Sequence, residues 1–354
     1  MLTLPRPLVA AFISRRTTLA LLVLTAIVTA ACSGNSGPPS ERQPADSASI
    51  TVYSGRSEAL IGPLIERFEA ATGIDVRVRY GDTAALTATI LEEGDRSPAD
   101  VFLAQDAGAL GALEAAERLS PLPESVLQRV DSAFRSPTGS WVGVSGRARV
   151  IVYSTDLDPD ALPQSIFDLT APEWRGRLGW APANGSFQAF VTALREVHGD
   201  DVTEQWLRDM LANDVREYPN NSTQVQAVGD GEIELGLVNH YYLFRFLADD
   251  PGFPAANLYT DSGRAGALIN VAGAGLLQSS DQSDTALRFV RFLLDEDAQT
   301  FFRDETFEYP LIDGVDPAAG IPSLDTLDPP SLELTSLADL EGTLDLLRKV
   351  GVLP

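Results

Sequence analysis

The feature that most constrains this chain is an alternation beginning at Ile50: ITVYS, EALIGPLIERFEAATG, IDVRVRYG, TAALTATILEEG, ADVFLA and AGALGALEAAERL. Short runs rich in β-branched residues take turns with longer stretches whose apolar residues recur every three or four positions, which predicts βαβαβα. Strands separated by helices form a mainly parallel sheet covered on both faces, with ligands beyond the carboxyl ends of the strands. Gly73 is positioned to cap the first helix, and Pro63 falls near its first turn. After PTGS, the runs WVGVSGR and RVIVYS read as strands leading into a second region, roughly 149–271, with a similar mixed pattern. ALINVAGAGLL, one helix over SDTALRFVRFLLDEDAQTFFRD and an amphipathic tail, LADLEGTLDLLRKVGVL, complete the chain. A length of 354 residues at 44% hydrophobic content suffices for one large or two medium domains. The expectation is an α/β chain of two lobes.

The first 32 residues hold no acids, an Arg15–Arg16 pair, the apolar run LALLVLTAIV and small residues leading to Cys32, an export signal too short to favour a permanent membrane span. Cys32 is the only cysteine, so no disulfide forms within the chain. Its position after Thr29, Ala30 and Ala31 suggests lipidation of Cys32 as the first mature residue, with plain secretion as the other reading. SRRTTLA is similar to a twin-arginine signal, with Thr18 at the usual aromatic or leucine position. The segment 33–48 is Ser-, Pro- and Gly-rich and reads as a disordered tether. The first 32 residues carry three arginines and no acids, so their removal takes the net charge from −24 to −27. Nucleic acid is excluded as a partner on this balance.

With only His198 and His240, and with no HExxH, Walker or GxGxxG pattern, metal and nucleotide chemistries that need those groups are absent. GVSGR at Gly143–Arg147 misses the serine-hydrolase elbow by its last residue, and the chain reads as a binding protein without enzymatic activity. Oxygen donors remain, and they suit hard cations. GLVNHYYLFRF at Gly236–Phe246 sets Tyr241 beside Tyr242 in an apolar run, and two explanations stand: aromatic packing, or two phenols converging on one ligand from a turn. ANGSF at Ala183–Phe187, a glycine turn opening a helix, is either an ordinary cap or an anion seat.

Several blocks, in order, carry a resemblance: ITVYSGR, FEAATGIDV, YGDTAALTATILEEGDRSPADVFLAQDAGAL, SGRARVIVY, PEWRGRLGWAPANGSFQAF, YPNNSTQVQAV, GLVNHYY, AGAGLLQSS and EYPL. Nearly the whole mature chain resembles the ferric-iron solute-binding proteins of bacterial ABC importers. The resemblance implies a periplasmic-binding-protein-like fold, each lobe a mixed sheet flanked by helices, with the chain crossing between lobes near SGR and NVAG. The boundaries then expected are 49–148 with 272–320 for lobe 1, and 149–271 with 321–354 for lobe 2. It implies Fe3+, free or as a chelate, on Tyr241 and Tyr242, and a small anion such as carbonate or phosphate on Asn184, Gly185, Ser186, Asn221 and Asn239. It also implies an ABC permease partner and a monomer at the outer face of the cytoplasmic membrane or in the periplasm.

One branch of the family adds a histidine and a glutamate from the first lobe, but Ser57 and Gln105 occupy those positions here. Asp106, Tyr53, Tyr80 and Tyr153 are the substitutes to consider for the metal. Arg56, Arg147 and Arg149 are those for the anion, with Arg147 favoured. The competing expectation is the same scaffold holding an organic solute such as thiamine, a polyamine or a phosphonate.

Overall fold

The alternation closes into a sheet in the computed structural model, which describes residues 48–354. The export signal, Cys32 and the tether up to residue 47 lie outside the described residues. β1 (Ser49–Ser54), α1 (Glu58–Thr72), β2 (Asp75–Tyr80), α2 (Thr83–Glu93), β3 (Val101–Ala104) and α3 (Ala107–Ala115) follow as expected. Gly73 ends α1 at φ +68°, returning its N–H to the Glu69 carbonyl. Pro63 lies in the second turn instead of the first, because the helix starts at Glu58, and its ring removes an internal hydrogen bond.

A two-residue β4 (Leu119–Ser120) and a one-turn α4 (Glu124–Leu127) lead to β5 (Trp141–Ser154). WVGVSGR and RVIVYS are thus one strand of 14 residues. Beyond it come β6 (Leu178–Trp180), α5 (Gly185–His198), α6 (Asp200–Ala212), β7 (Arg216–Glu217), α7 (Asn221–Gly229), β8 (Leu235–Asn239), α8 (Tyr241–Asp249) and β9 (Ala255–Leu258). β10 (Ile269–Leu277), α9 (Ser283–Leu293), α10 (Glu296–Glu305) and α11 (Leu340–Val350) complete the fold.

The strands run in the order β2-β1-β3-β10-β5-β8-β6-β7, with β4 on β10 and β9 on β5. β2, β1 and β3 are parallel, as are β8, β6 and β7, but β10 and β5 enter antiparallel. The sheet is therefore mixed, with the antiparallel strands at its centre. β5 serves both halves: Trp141–Ala148 pair with β10, and Arg149–Tyr153 pair with β8. The SGR and NVAG blocks lie side by side there, Arg147 opposite Asn270 and Gly146 opposite Val271. Gly146 also exchanges both backbone hydrogen bonds with Tyr309, at 2.8 Å each, so a third passage of chain runs through the same junction.

A bulge interrupts the β5–β10 ladder. Gly273 faces Gly143 and Ala272 faces Ser145, leaving Val144 without a strand partner. Its buried carbonyl accepts a hydrogen bond from Gln299 Nε2 at 2.7 Å. The same amide donates to the Leu293 carbonyl at the end of α9, while Gln299 Oε1 accepts from the Leu311 N–H. Gln299 is fully buried and explains why the expected single helix over 283–304 is two: its side chain, and not the next turn, satisfies the end of α9. Phe289 and Phe292 of α9 pack on Phe68 of α1, and Trp180, Phe187, Phe190 and Trp206 form an edge-to-face cluster under α5 and α6.

Gln299→Leu fills the same space but strands three buried backbone groups. The expected loss is about 3–5 kcal/mol of unfolding free energy, read from urea denaturation at unchanged m-value.

Candidate functional site

Tyr241 and Tyr242 open α8, directly after β8 ends at Asn239. Side chains at the start of a helix lean back past its first turn, so two adjacent residues project beyond the same end. The rings stack, with centroids 4.4 Å apart and planes 28° from parallel. Arg245, three and four positions on, lies 5.1 Å from the Tyr241 centroid and 5.4 Å from that of Tyr242. The spacing in YYLFR contained that clamp, although the sequence reading did not draw on it.

His240 fixes the helix start. Its Nδ1 accepts from the Ala148 N–H at 3.1 Å, which leaves Nε2–H to donate to the Phe307 carbonyl at 2.9 Å. Asn257 donates to the His240 carbonyl at 2.8 Å. Burial disfavours the charged imidazole and lowers its pKa to about 4, so near neutral pH it is a neutral strut between β5 and the third passage.

The tyrosines line a cleft of about 640 Å3. Asp106, Arg147, Asn184, Gly185, Ser186 and Asn239 line it with them, as do Ser57 and Gln105. Asn184 caps α5 by accepting from the Ser186 N–H at 3.0 Å and the Ser186 hydroxyl at 2.6 Å. Asn221 stands one layer back, 1% exposed, its amide donating to Asn184 Oδ1 and Ser186 Oγ at 3.2 and 3.3 Å. It braces the turn and does not itself line the cleft.

Three candidate ligands lie elsewhere. Tyr53 donates to Glu93 and accepts from Arg79, whose guanidinium covers its ring, in a network joining β2 to the end of α2. Tyr80 lies at the end of β2, partly exposed, where burial and then Glu58 and Glu66 hold its phenol above the ordinary value. Tyr153 is partly buried and packs against the core, its strand position opposite Leu235 of β8 and Ala256 of β9. None of these three lines the cleft, because strand register and tertiary partners turn them away from it.

Charge around the tyrosines is unusual. Arg56, Arg147 and Arg149 are at most 3% exposed. Arg56 makes a bidentate pair with Glu308, at 3.0 and 2.5 Å, and Glu308 also accepts from Thr306. Burial opposes ionisation of Glu308, but Arg56 outweighs it and holds the carboxyl below its usual range. Arg147 has no hydrogen-bond partner at Nη1 or Nη2 among the described residues. Arg149 reaches only the Ser186 carbonyl and Asn239 Oδ1, at 3.4 and 3.5 Å, over the face of Phe190; burial, then repulsion from Arg147, lower its pKa to about 9. Asn239 Nδ2 is also buried and unpaired.

Burial, then Tyr242 and Glu308, raise the pKa of Tyr241 far above the ordinary phenol value, opposed by Arg147. Asp106 is raised by burial, against the pull of Arg147 and of the Ala109 N–H that it caps. Among the described residues no group of three or more His, Cys, Asp or Glu is arranged to hold a metal. The cleft therefore offers two phenols, the carboxylates of Asp82, Asp106 and Glu341, and a set of unmet donors. For the two phenols to hold a hard cation, their protons must leave.

The family described as bacterial extracellular solute-binding protein matches this chain over residues 50–308. The major ferric iron-binding protein of Neisseria meningitidis serogroup A is 34% identical over 311 residues, spanning 86% of this chain and 93% of that protein. Among solved structures, iron-bound HitA from Pseudomonas aeruginosa has a TM-score of 0.81 at 33% identity, covering 86% of this chain and 99% of its own. A Trichodesmium protein in complex with iron and citrate has a TM-score of 0.75 at 28% identity, with the same coverage of both chains. Two-lobed architecture follows from this likeness. No helix among the described residues is long and apolar enough to cross a membrane.

Glu308→Gln leaves Arg56 buried without its counter-charge and is expected to cost about 3–5 kcal/mol of stability near neutral pH. Because the folded pKa of Glu308 is depressed, its stabilisation is complete above the unfolded carboxyl pKa and is lost as pH falls through the lower folded value. Denaturant titrations at several pH values check this: the gap between wild type and variant is flat above about pH 5 and narrows below it.

Proposed function

Because this chain belongs to the bacterial extracellular solute-binding proteins, we propose that it captures ferric iron together with a small anion in its interlobe cleft and hands it to an ABC permease. The observation that carries this reading is the stacked Tyr241–Tyr242 pair opening on a cleft beside the unpartnered guanidinium of Arg147.

A free phenol ionises near pH ~10, and burial makes Tyr241 harder to ionise still. A trivalent cation supplies the missing driving force, since bound metals stabilise deprotonated ligands. Two phenolates leave one unit of positive charge on the ion, and the unpartnered Arg147 lies beside them, so a small anion such as carbonate or phosphate completes the site. The start of α5 at Asn184, Gly185 and Ser186, with Asn221 behind it and Asn239 alongside, supplies the donors for that anion. Citrate in the Trichodesmium complex favours the wider statement that the anion is an oxyanion or carboxylate.

Lobe 1 is assigned to 49–148 with 272–320 and lobe 2 to 149–271 with 321–354; β5 and β10 run between them, and closure is a hinge motion about that pair. The protein acts as a monomer, held to the outer face of the cytoplasmic membrane through lipid on Cys32 or free in the periplasm, and it makes and breaks no covalent bond of its ligand.

Adding ferric citrate to the purified protein is expected to produce a visible tyrosinate-to-iron charge-transfer band, absent from the Tyr241→Phe/Tyr242→Phe double variant. Loading releases two phenol protons, so apparent affinity falls by up to about 100-fold for each pH unit lowered. A wild type that stays colourless, or a double variant that binds iron as well as wild type in calorimetry, overturns the reading.

A further inference from the structure

The cleft has a third wall that is not part of either half's sheet. Leu337, Ala338, Leu340 and Glu341 line it, and they come from the C-terminal segment, beyond the 50–308 stretch that carries the family match. This segment touches the two helices whose N-termini face the ligand. α3 begins after Asp106, and α5 begins after Asn184.

Its attachments to the two helices differ in kind. Towards α5 it is bonded. The Thr192 and Thr343 hydroxyls share a buried hydrogen bond at 2.8 Å, and Arg195 donates to the Asp339 carbonyl and Thr343 Oγ1 while pairing with the Asp339 carboxylate at 2.9 Å. Towards α3 no hydrogen bond is made among the described residues; Leu334 and Leu337 share its apolar core, and at two glycines backbone lies directly on backbone. A Cβ on Gly108 would stand 2.3 Å from the Leu337 carbonyl oxygen, and one on Gly111 would stand 2.7 Å from that of Thr335. Glycine is required at both positions for this approach, which directional bonds do not hold.

We infer that the segment Leu334–Val350 is a positioning element of the capture step: anchored to α5 through Arg195, Thr192 and Thr343, it seats α3 on Gly108 and Gly111 and so sets where the two helix N-termini meet around the ligand. The effect on iron retention rests on the proposed function; the mechanical link between α3 and α5 does not. One face is fixed and the other free of hydrogen bonds, so α3 can slide over the segment as the lobes close without breaking a polar contact.

The test uses Gly111→Ala, Arg195→Met and the double variant, with Gly108→Ala as the second α3 change should Gly111→Ala not fold. Alanine is the better helix former, so a loss in Gly111→Ala reports the contact and not helix propensity. Iron release into excess hydroxamate chelator, followed by the charge-transfer band, is expected to be about tenfold faster in each single variant, and no faster in the double variant than in the worse single. Singles that release at the wild-type rate, or effects that multiply in the double, overturn the inference. Amide exchange of the unliganded protein reads the link without ligand: Arg195→Met is expected to raise exchange in α3 as well as α5, and a rise confined to α5 and α11 overturns it. A wild type that develops no band is failure of the iron reading alone, because the exchange measurement stands apart from it.

Discussion

A guanidinium keeps its proton at any ordinary pH, so a fold that buries one must find negative charge for it or leave it in want. Three arginines are buried under Tyr241 and Tyr242, and only Arg56 meets a carboxylate. That inequality governs the site. Arg147 and Arg149 are buried without a carboxylate partner, and Asp82, Asp106 and Glu341 line the cleft beside them. Under the proposed function the anion answers the unpaired guanidinium and the cation answers the phenols, so each ligand makes the other easier to bind.

The scaffold is arranged to keep this inequality in place. β5 brings Arg147 to the cleft and Arg149 against Ser186 and Asn239, β8 brings Asn239 to the same edge, and His240 bolts the start of α8 to both β5 and the passage that carries Glu308. The histidine is neutral near neutral pH, so it adds no fourth positive charge to the cluster. Arg147, Asn239 and the start of α8 are thereby tied to the chain passages at the junction of the halves. Movement there is transmitted to the donors as rigid pieces.

Much of this was legible in the sequence, and the boundary of legibility has physical causes. Strand–helix alternation survives in local periodicity, so β1 to α3 were readable residue by residue, and Gly73 announced its own helix end. The break between α9 and α10 was not, because a side chain six residues further on satisfies the end of α9. The tyrosine pair could be singled out, yet its orientation depends on where α8 starts, and Arg245 becomes meaningful only once that start is known. Tyr53, Tyr80 and Tyr153 are chemically equal candidates on paper; partners such as Arg79 and Glu93, distant in sequence, divert them. The C-terminal wall was legible as an amphipathic helix, but its seat on α3 was not, since the close approach at Gly108 and Gly111 is made to backbone atoms common to every residue.

The skipped residue in the central ladder has one further consequence. In a strand, odd and even positions face opposite ways, and Val144 shifts the phase of that count partway along β5. Were the ladder to slip into even pairing, with Val144 opposite Ala272, every later position would change sides: Ala148 would face the ligand, and Arg147 and Arg149 would turn to the far surface. Gln299, by taking the Val144 carbonyl, holds the count where it is. A neutral amide on a distant helix thereby keeps the Arg147 guanidinium on the cleft side of the sheet.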